Sequence, residues 1–318
     1  MMREVERTGE WELYPLGGDV VGYLRWKRKE LRPGSLRKYR SVLRLFACEH
    51  LDLELADFEP PVGTERIEEF MDRHWGPDRA APRTYNANLS PVKDFFKFHV
   101  GRGNMHADPA AQIKRARVND PLRETFTGDH VRAIIVSQPR LRDRIALRLL
   151  LQYGLRKGSL QAVQFKHFDH ARRKLTVFYK GGKNRTLPIP DPAFWHDLER
   201  HILDSQAEPN HFLLCQAKGN RYGSRPVPDR PMGNHRLHEW WYERLVEAGL
   251  VAAGTTSGER MHKARHTAGQ RLLDATGNLK AVQGLLMHDD IMTTANVYVG
   301  WTDDQLAASL VEALKEDG

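Results

Sequence analysis

The sequence predicts a mainly helical protein in two domains. A small, all-helical N-terminal domain precedes a mixed α/β domain that is mostly helical and carries a small antiparallel sheet. Three observations predict this. Apolar residues recur three and four apart through most of the chain, the period of a helix buried on one face. One stretch, RRKLTVFYKGGKNRTLPIP (172–190), alternates instead around a Gly-Gly pair, the pattern of a hairpin. Between residues 101 and 124 the apolar period lapses, and Gly, Pro, Lys114, Arg115 and Arg117 take over, the composition of a linker. A length of 318 residues suits two domains better than one.

The elements follow in order. Residues 1–18 read as a polar lead-in, with the helical domain over 19–111. Val20, Val21 and Leu24 stand at helical spacing until RPGS (32–35) interrupts them. Ser35 is the expected N-cap of a second helix with Leu36, Tyr39, Val42, Leu43 and Phe46 on one face. TERIEEFMDRHW (64–75) and PRTYNANLSPVKDFFKFHV (82–100) supply the third and fourth helices. A basic linker is expected over 112–124 and the second domain over 125–318. There, Thr127 is a candidate N-cap for a helix carrying Val131, Ile134 and Ile135. RLRDRIALRLLLQYG (140–154) is an apolar helix closed by Gly154. Leu175, Val177 and Tyr179 make one strand of the hairpin, and Thr186, Leu187 and Ile189 the other. HRLHEWWYERLVEAG (235–249), HKARHTAGQRLLDAT (262–276) and LKAVQGLLM (279–287) are further helices, and Leu306, Leu310 and Leu314 give the tail an amphipathic face.

Charge and cysteine usage narrow the function classes. Lys plus Arg number 49 against 41 Asp plus Glu, a formal net charge of +8, with a pI near 9.5. That balance favours a polyanionic partner. The two cysteines, Cys48 and Cys215, lie far apart and in no CxxC pattern, which argues against a disulfide framework or a zinc finger and for a reducing, cytoplasmic setting. The first residues, MMREVERTGEWELYPLGG, are acidic and polar, unlike a signal peptide. No apolar run approaches the ~20 residues of a membrane span.

Four features can carry chemistry. Between Arg25 and Arg44 stand nine cations against one acid, Glu30, and Arg37, Arg40 and Arg44 share a helix face with Lys38 beside them. Such a face can neutralise phosphates or simply be solvated. In YGLRKGSL (153–160), Arg156 follows a glycine-containing helix end, where a guanidinium can grip two phosphate oxygens or lie idle on the surface. The hairpin tip carries Lys180, Lys183 and Arg185, suited to a nucleic-acid groove or to a soluble turn. Its GGK does not fit a phosphate-binding P-loop, because Asn184 stands where Ser or Thr would hold magnesium. In MHKARHTAGQ (261–270), His262 and His266 are four apart, but Lys263 occupies the place of the glutamate in HExxH. Zinc is therefore not expected. The donors His262, Lys263, Arg265 and His266 suit an anion better.

The order of these pieces is more telling than any one of them. Arg156, Lys180, His262, Arg265, His288 and Tyr298 are the residue types needed for metal-free phosphoryl transfer. Arginines neutralise the developing phosphorane, a lysine can protonate a leaving oxygen, and a histidine can act as base towards a tyrosine nucleophile. In this order the chain resembles the tyrosine recombinases, the phage integrase family. YGLRKGSL resembles that family's first arginine motif, YKGGKNRTLPI its lysine motif with Lys180 aligned, and His262-x-x-Arg265 its H-x-x-R motif. LLMH with His288 resembles the L-G-H box, and TTANVY with Tyr298 the nucleophile box. The likeness covers roughly the whole chain from residue 19 on, by motif order and by the helical lead domain.

Three departures stand out. The family usually has an acid at the position of Ser159, where it buttresses the site; Met287 replaces the glycine before His288; and Tyr298 follows His288 by ten residues, one more than usual.

The resemblance implies a SAM-like helical core-DNA-binding domain and a catalytic domain, which together clamp double-stranded DNA core sites. It implies cleavage through a 3′-phosphotyrosine at Tyr298, no metal or other cofactor, and a homo-tetramer on DNA with a C-terminal segment packing on a neighbour. A directionality factor is a further possible partner, and Arg37, Lys38, Arg40, Arg44, Lys114, Arg115, Lys183 and Arg185 are the expected DNA contacts. With only 18 residues before Asp19, no arm-binding domain is expected. An integrase of a phage or mobile element is the expected role. A chromosome-dimer resolvase, or a transposon or integron recombinase, is the alternative within the family. Two readings from other classes stay open: a type IB topoisomerase, and a DNA-binding module whose active site is weakened.

Overall fold

The computed structural model describes residues 10–118, 124–178, 184–220 and 223–287. The chain packs as two units, Met1–Asp120 and Pro121–Gly318. It is mainly helical, with a three-stranded antiparallel sheet and a two-stranded antiparallel ribbon among the described residues of the second unit.

Among its described residues the first unit holds four α-helices: α1 (Pro15–Lys27), α2 (Pro33–Glu49), α3 (Val62–Trp75) and α4 (Pro82–Gly101). Their apolar faces enclose an aromatic core in which Phe46 meets Phe58, Phe70 and Phe96 with ring centroids 4.9–5.9 Å apart. Val42, Leu43 and Phe46 of α2 are buried, and Leu36 and Tyr39 pack partly against them, as the spacing predicts.

Three expectations need correction. The polar lead-in over 1–18 is part of the fold from Glu10 onward. Trp11, only 1% exposed, sits in the core beneath α1, which starts at Pro15. It fits because a Cβ on Gly17 would stand 1.8 Å from the Trp11 carbonyl oxygen, so only glycine allows this approach. Ser35 does not cap α2. The helix starts at Pro33 behind an extended Arg32, since proline's fixed φ and missing N–H suit the first helical position. The expected linker is anchored at its start. Ile113 is buried in this unit's core, and the Asn86 amide makes two 2.8 Å bonds to the backbone of Ala116.

The second unit opens with α5 (Gly128–Val136), capped by the Thr127 hydroxyl, which accepts from the His130 N–H. It continues with α6 (Leu141–Leu151) and the short α7 (Lys157–Gln161), then β1 (Phe168–Asp169), β2 (Lys174–Phe178) and β3 (Asn184–Pro188). The three strands form one antiparallel sheet in sequence order, and Leu175 pairs with Leu187 on its buried face. The helix α8 (Pro192–Ser205) follows, then a two-stranded ribbon, β4 (Cys215–Asn220) and β5 (Gly223–Pro231), which the sequence patterns do not predict. The helices α9 (Asn234–Glu247), α10 (Met261–Thr276) and α11 (Leu279–Leu286) complete the described part. The Gly-Gly turn of the hairpin and the Leu306, Leu310 and Leu314 face lie outside the described residues. No described helix is long and apolar enough to cross a membrane.

A buried charge network joins α6 to α9. Asp143, 1% exposed, accepts from Arg244 Nη1, and Arg244 is itself 7% exposed. The same carboxylate accepts from the Trp240 indole and from Arg142 Nε, both at 3.0 Å. Asp143→Ala removes the acceptor shared by Arg244 Nη1, the Trp240 indole and Arg142 Nε and leaves Arg244 its pairs with Glu247 at 2.8 Å and Glu243 at 3.4 Å, and urea denaturation should show a loss of roughly 1–3 kcal/mol.

A second prediction concerns His99, buried on α4 with its Nδ1 3.0 Å from the Asn104 amide. Burial, reinforced by the Arg102 charge, pushes its imidazole down to about 4. The unfolded chain then binds the extra proton below about pH 6.5, so this histidine's contribution falls as the pH drops from 6.5 towards 4. At 1.36 kcal/mol per pH unit the loss reaches about 3 kcal/mol. His99→Gln should flatten the acid limb of the unfolding free energy by that amount, measured by denaturant titrations across the window.

Candidate active site

The site is built around α10. This helix is held at its start by Thr267, whose hydroxyl accepts from the Phe126 N–H and donates to the Lys263 carbonyl, each at 2.9 Å. His262 is exposed and His266 half-buried. Four residues apart on one face, their rings meet edge-on with centroids 4.6 Å apart. Lys263 leaves the donor set expected from the sequence. Its ammonium pairs with Glu259 at 2.9 Å and with Glu124 at 3.5 Å, and it lies 4.7 Å from the Phe126 ring centroid.

Arg265 points the other way, into the core, and is 2% exposed. Its Nη1 donates to the carbonyl of Gly154, and its Nη2 to the carbonyl of Leu286. The first acceptor lies two residues before Arg156, the second two residues before His288. One guanidinium thus ties together the turn after α6, the H-x-x-R helix and the end of α11. The turn needs glycine. Gly154 has φ 64, and a Cβ there would stand 2.7 Å from Leu286 Cδ2.

Arg156 is half-buried and forms the extended cap of α7, with φ −70 and ψ 149. In the same helix Ser159 is buried, and its hydroxyl donates to the Phe178 carbonyl at 3.1 Å. That bond joins α7 to the last residue of β2. Lys180, Lys183, His288 and Tyr298 lie outside the described residues. Arg185 is half-buried on β3, opposite Val177.

The candidate DNA contacts of the first unit are more varied than their charges suggest. Arg37 and Lys38 are exposed on α2. Arg40 pairs with Glu12 at 2.9 Å, and Arg44 is half-buried. Lys114 and Arg115 are exposed, and Arg115 reaches the Asn86 carbonyl at 3.4 Å. Sequence reasoning missed the two carbonyls that hold Arg265, the partner of Ser159, and the β4–β5 ribbon. Among the described residues, no group of three His, Cys, Asp or Glu stands together as a metal site.

With this geometry in place, comparison with known proteins defines the class. The family model described as the phage integrase family matches residues 124–304, more than half of the chain. The chain belongs to that family, the tyrosine recombinases. It is 28% identical to the tyrosine recombinase XerC of Vibrio atlanticus over 297 residues, which cover 92% of this chain and 90% of the relative. It is 29% identical to the tyrosine recombinase XerC of Salmonella typhi over 241 residues, 73% of each. In fold it is similar to the Tn1549 transposon integrase in complex with transposon right end DNA. That match has a TM-score of 0.71 at 16% identity and covers 93% of this chain and 98% of the other. A lambda integrase dimer bound to a core site gives 0.66 at 16% identity, over 91% and 98%.

The glycine turn generates a test. Gly154→Ala forces a side chain into the left-handed region, at about 1–2 kcal/mol, and pushes against Leu286. Thermal unfolding should show the loss of stability. Single-turnover DNA cleavage should fall at least tenfold more than DNA binding does, because Arg265 loses the position of its acceptor.

Proposed function

We propose that the chain is a site-specific DNA recombinase that cuts and rejoins DNA through a covalent 3′-phosphotyrosine at Tyr298. The Tyr298 oxygen attacks a phosphodiester, its proton passes to His262, and the bond to the 5′-oxygen breaks. Lys180 protonates that leaving oxygen, giving a free 5′-hydroxyl. Arg156 and Arg265 hold the non-bridging oxygens, and His288 donates a further hydrogen bond to them. The 5′-hydroxyl of a partner strand then attacks the phosphotyrosine and releases the enzyme. The bond energy is conserved throughout, so no ATP enters, and no metal or other cofactor is invoked.

The observation that carries this reading is the pair of hydrogen bonds that Arg265 donates to the carbonyls of Gly154 and Leu286. It gathers the segments leading to Arg156 and His288 around one buried cation, an arrangement suited to an anionic reacting centre. Ser159, bonded to the end of β2 two residues before Lys180, supports the hairpin where relatives carry an acid. The first unit, with its exposed Arg37, Lys38, Lys114 and Arg115, serves as the core-DNA-binding domain. The working assembly is a homo-tetramer on two double-stranded core sites, in keeping with a structural neighbour described as a lambda integrase tetramer bound to a Holliday junction. A directionality factor is the further partner of an integrase role in a phage or mobile element, and the bacterial nucleoid is the place of action. A chromosome-dimer resolvase is the second reading, because the relatives matched along most of the chain are named tyrosine recombinase rather than integrase.

Covalent trapping tests the proposal. Nicked duplexes from the protein's own genomic neighbourhood lose a short fragment on cleavage, which blocks rejoining. Denatured wild-type protein should retain DNA. Tyr298→Phe should retain none, and His262→Ala and Arg265→Ala should lose at least a hundredfold in rate, with cleavage unchanged by chelators. Equal, salt-sensitive retention by wild type and Tyr298→Phe would leave only a binding module, and cleavage abolished by a chelator would sink the metal-free scheme.

A further inference from the structure

The β4–β5 ribbon is absorbed by none of the chemistry above, although it is built into the same site. At its root, Leu213, Leu214 and Met232 lie in the core, and the Met232 N–H donates to Leu214 at 2.8 Å. The Met232 carbonyl accepts from the Gln161 amide at 2.6 Å, while Lys157 reaches the carbonyl of Asn234 at 3.3 Å. Both donors belong to α7, the helix that Arg156 caps. At a rise of 1.5 Å per residue, five helical residues set the ribbon's root roughly 8 Å from the Arg156 end of that helix.

Beyond the root the described ribbon residues are mostly exposed. Gln216, Ala217, Lys218, Arg225 and Pro226 are all exposed. A lone two-stranded ribbon is marginal in water, and this one is further burdened by its register. Lys218 pairs directly with Arg225, and like charges placed opposite each other repel. Arg230 adds a third exposed cation near the root. The described counter-charge on the ribbon is Asp229, 3.8 Å from His211 Nε2 at the root end. Further strand pairing along β5 is discouraged by Pro226, Pro228 and Pro231, which have no N–H to donate. The surface is therefore cationic, slender, and poorly suited to an apolar or strand-adding partner.

We propose that the β4–β5 ribbon is an additional DNA contact of the catalytic unit, in which Lys218 and Arg225 bind backbone phosphates of the duplex beside the cleaved position. The inference rests on the recombinase reading. Phosphates relieve the repulsion between the paired cations, so the arrangement that is unfavourable in the free protein becomes favourable on DNA. Contacts of this kind set affinity and register and carry no base specificity.

The test is the salt dependence of duplex binding by the full chain, followed by fluorescence anisotropy between about 50 and 200 mM salt. Lys218→Gln with Arg225→Gln should lower the slope of log K against log salt by about 1.8, near 0.9 for each lost phosphate contact. Tm should stay level or rise as the repulsion disappears. Arg225→Glu guards against a folding artefact, because it makes an opposite-charge pair: it should hold or raise Tm and still weaken binding. An unchanged slope in both variants overturns the proposal. So does intact binding of one protomer to a half-site with loss only of the second protomer's cooperativity, which would assign the ribbon to a protein neighbour. Absence of a Tyr298 adduct in wild type is a separate failure: it removes the recombinase reading, while the slope still reports on the ribbon.

Discussion

The catalytic unit depends on one buried cation. Taking a guanidinium out of water costs several kcal/mol unless hydrogen bonds replace its hydration, and each bond from a charged donor returns about 1.5–3 kcal/mol. Arg265 meets that requirement with backbone oxygens 111 and 21 residues away in the chain. Because both acceptors are main chain, no side-chain substitution can delete them. Only their positions can be lost, and those positions rest on the left-handed turn at Gly154 and on the end of α11. Fold and chemistry are therefore coupled at this point: what holds the turn also orients the cation, and Arg156 follows the turn by two residues.

Motifs with fixed spacing were legible in the sequence; contacts made through the backbone were not. The helices α2 to α6 announce themselves by apolar period, and the Thr127 cap and the β2–β3 pairing by local residue chemistry. Arg156, His262 and Arg265 stand out by order. The carbonyls of Gly154 and Leu286 have no sequence signature, because every residue carries one. Trp11 reads as part of a polar lead-in because its burial depends on a contact with Gly17. The ribbon escapes because Pro226, Pro228 and Pro231 contradict the usual signs of a strand. Lys263 falls between two histidines in sequence, but Glu259, four residues earlier and just ahead of the helix, claims its charge.

Net charge alone would also have misdirected a search for the DNA surface. A formal +8 is spread over cations with different commitments. Lys27 lies 2.9 Å from both Glu30 and Asp94, and Arg40 is paired with Glu12. The Arg40–Glu12 pair is exposed and contributes little to stability, but both sets of pairs reduce the field that a phosphate would meet. The Lys218–Arg225 pair is the reverse case: two cations held against each other by strand register. Local arrangement separates a solvated charge from one poised for an anion, and a count cannot.

Ser159 shows how a departure from the family pattern can be accommodated physically. An ionised carboxylate only accepts hydrogen bonds, whereas a serine hydroxyl can donate. Here the hydroxyl donates to the Phe178 carbonyl. An ionised acid in the same place would set oxygen against oxygen and would need a donor that this strand end does not offer at that atom. The serine is also short, so the bond forms only because α7 and the end of β2 approach closely. The Ser159 bond thus links α7 to the end of β2 through a donor role that an ionised acid cannot take. The residue at position 159 and the backbone it faces therefore form one unit, and replacing the serine with an ionised acid would remove the bond to the Phe178 carbonyl.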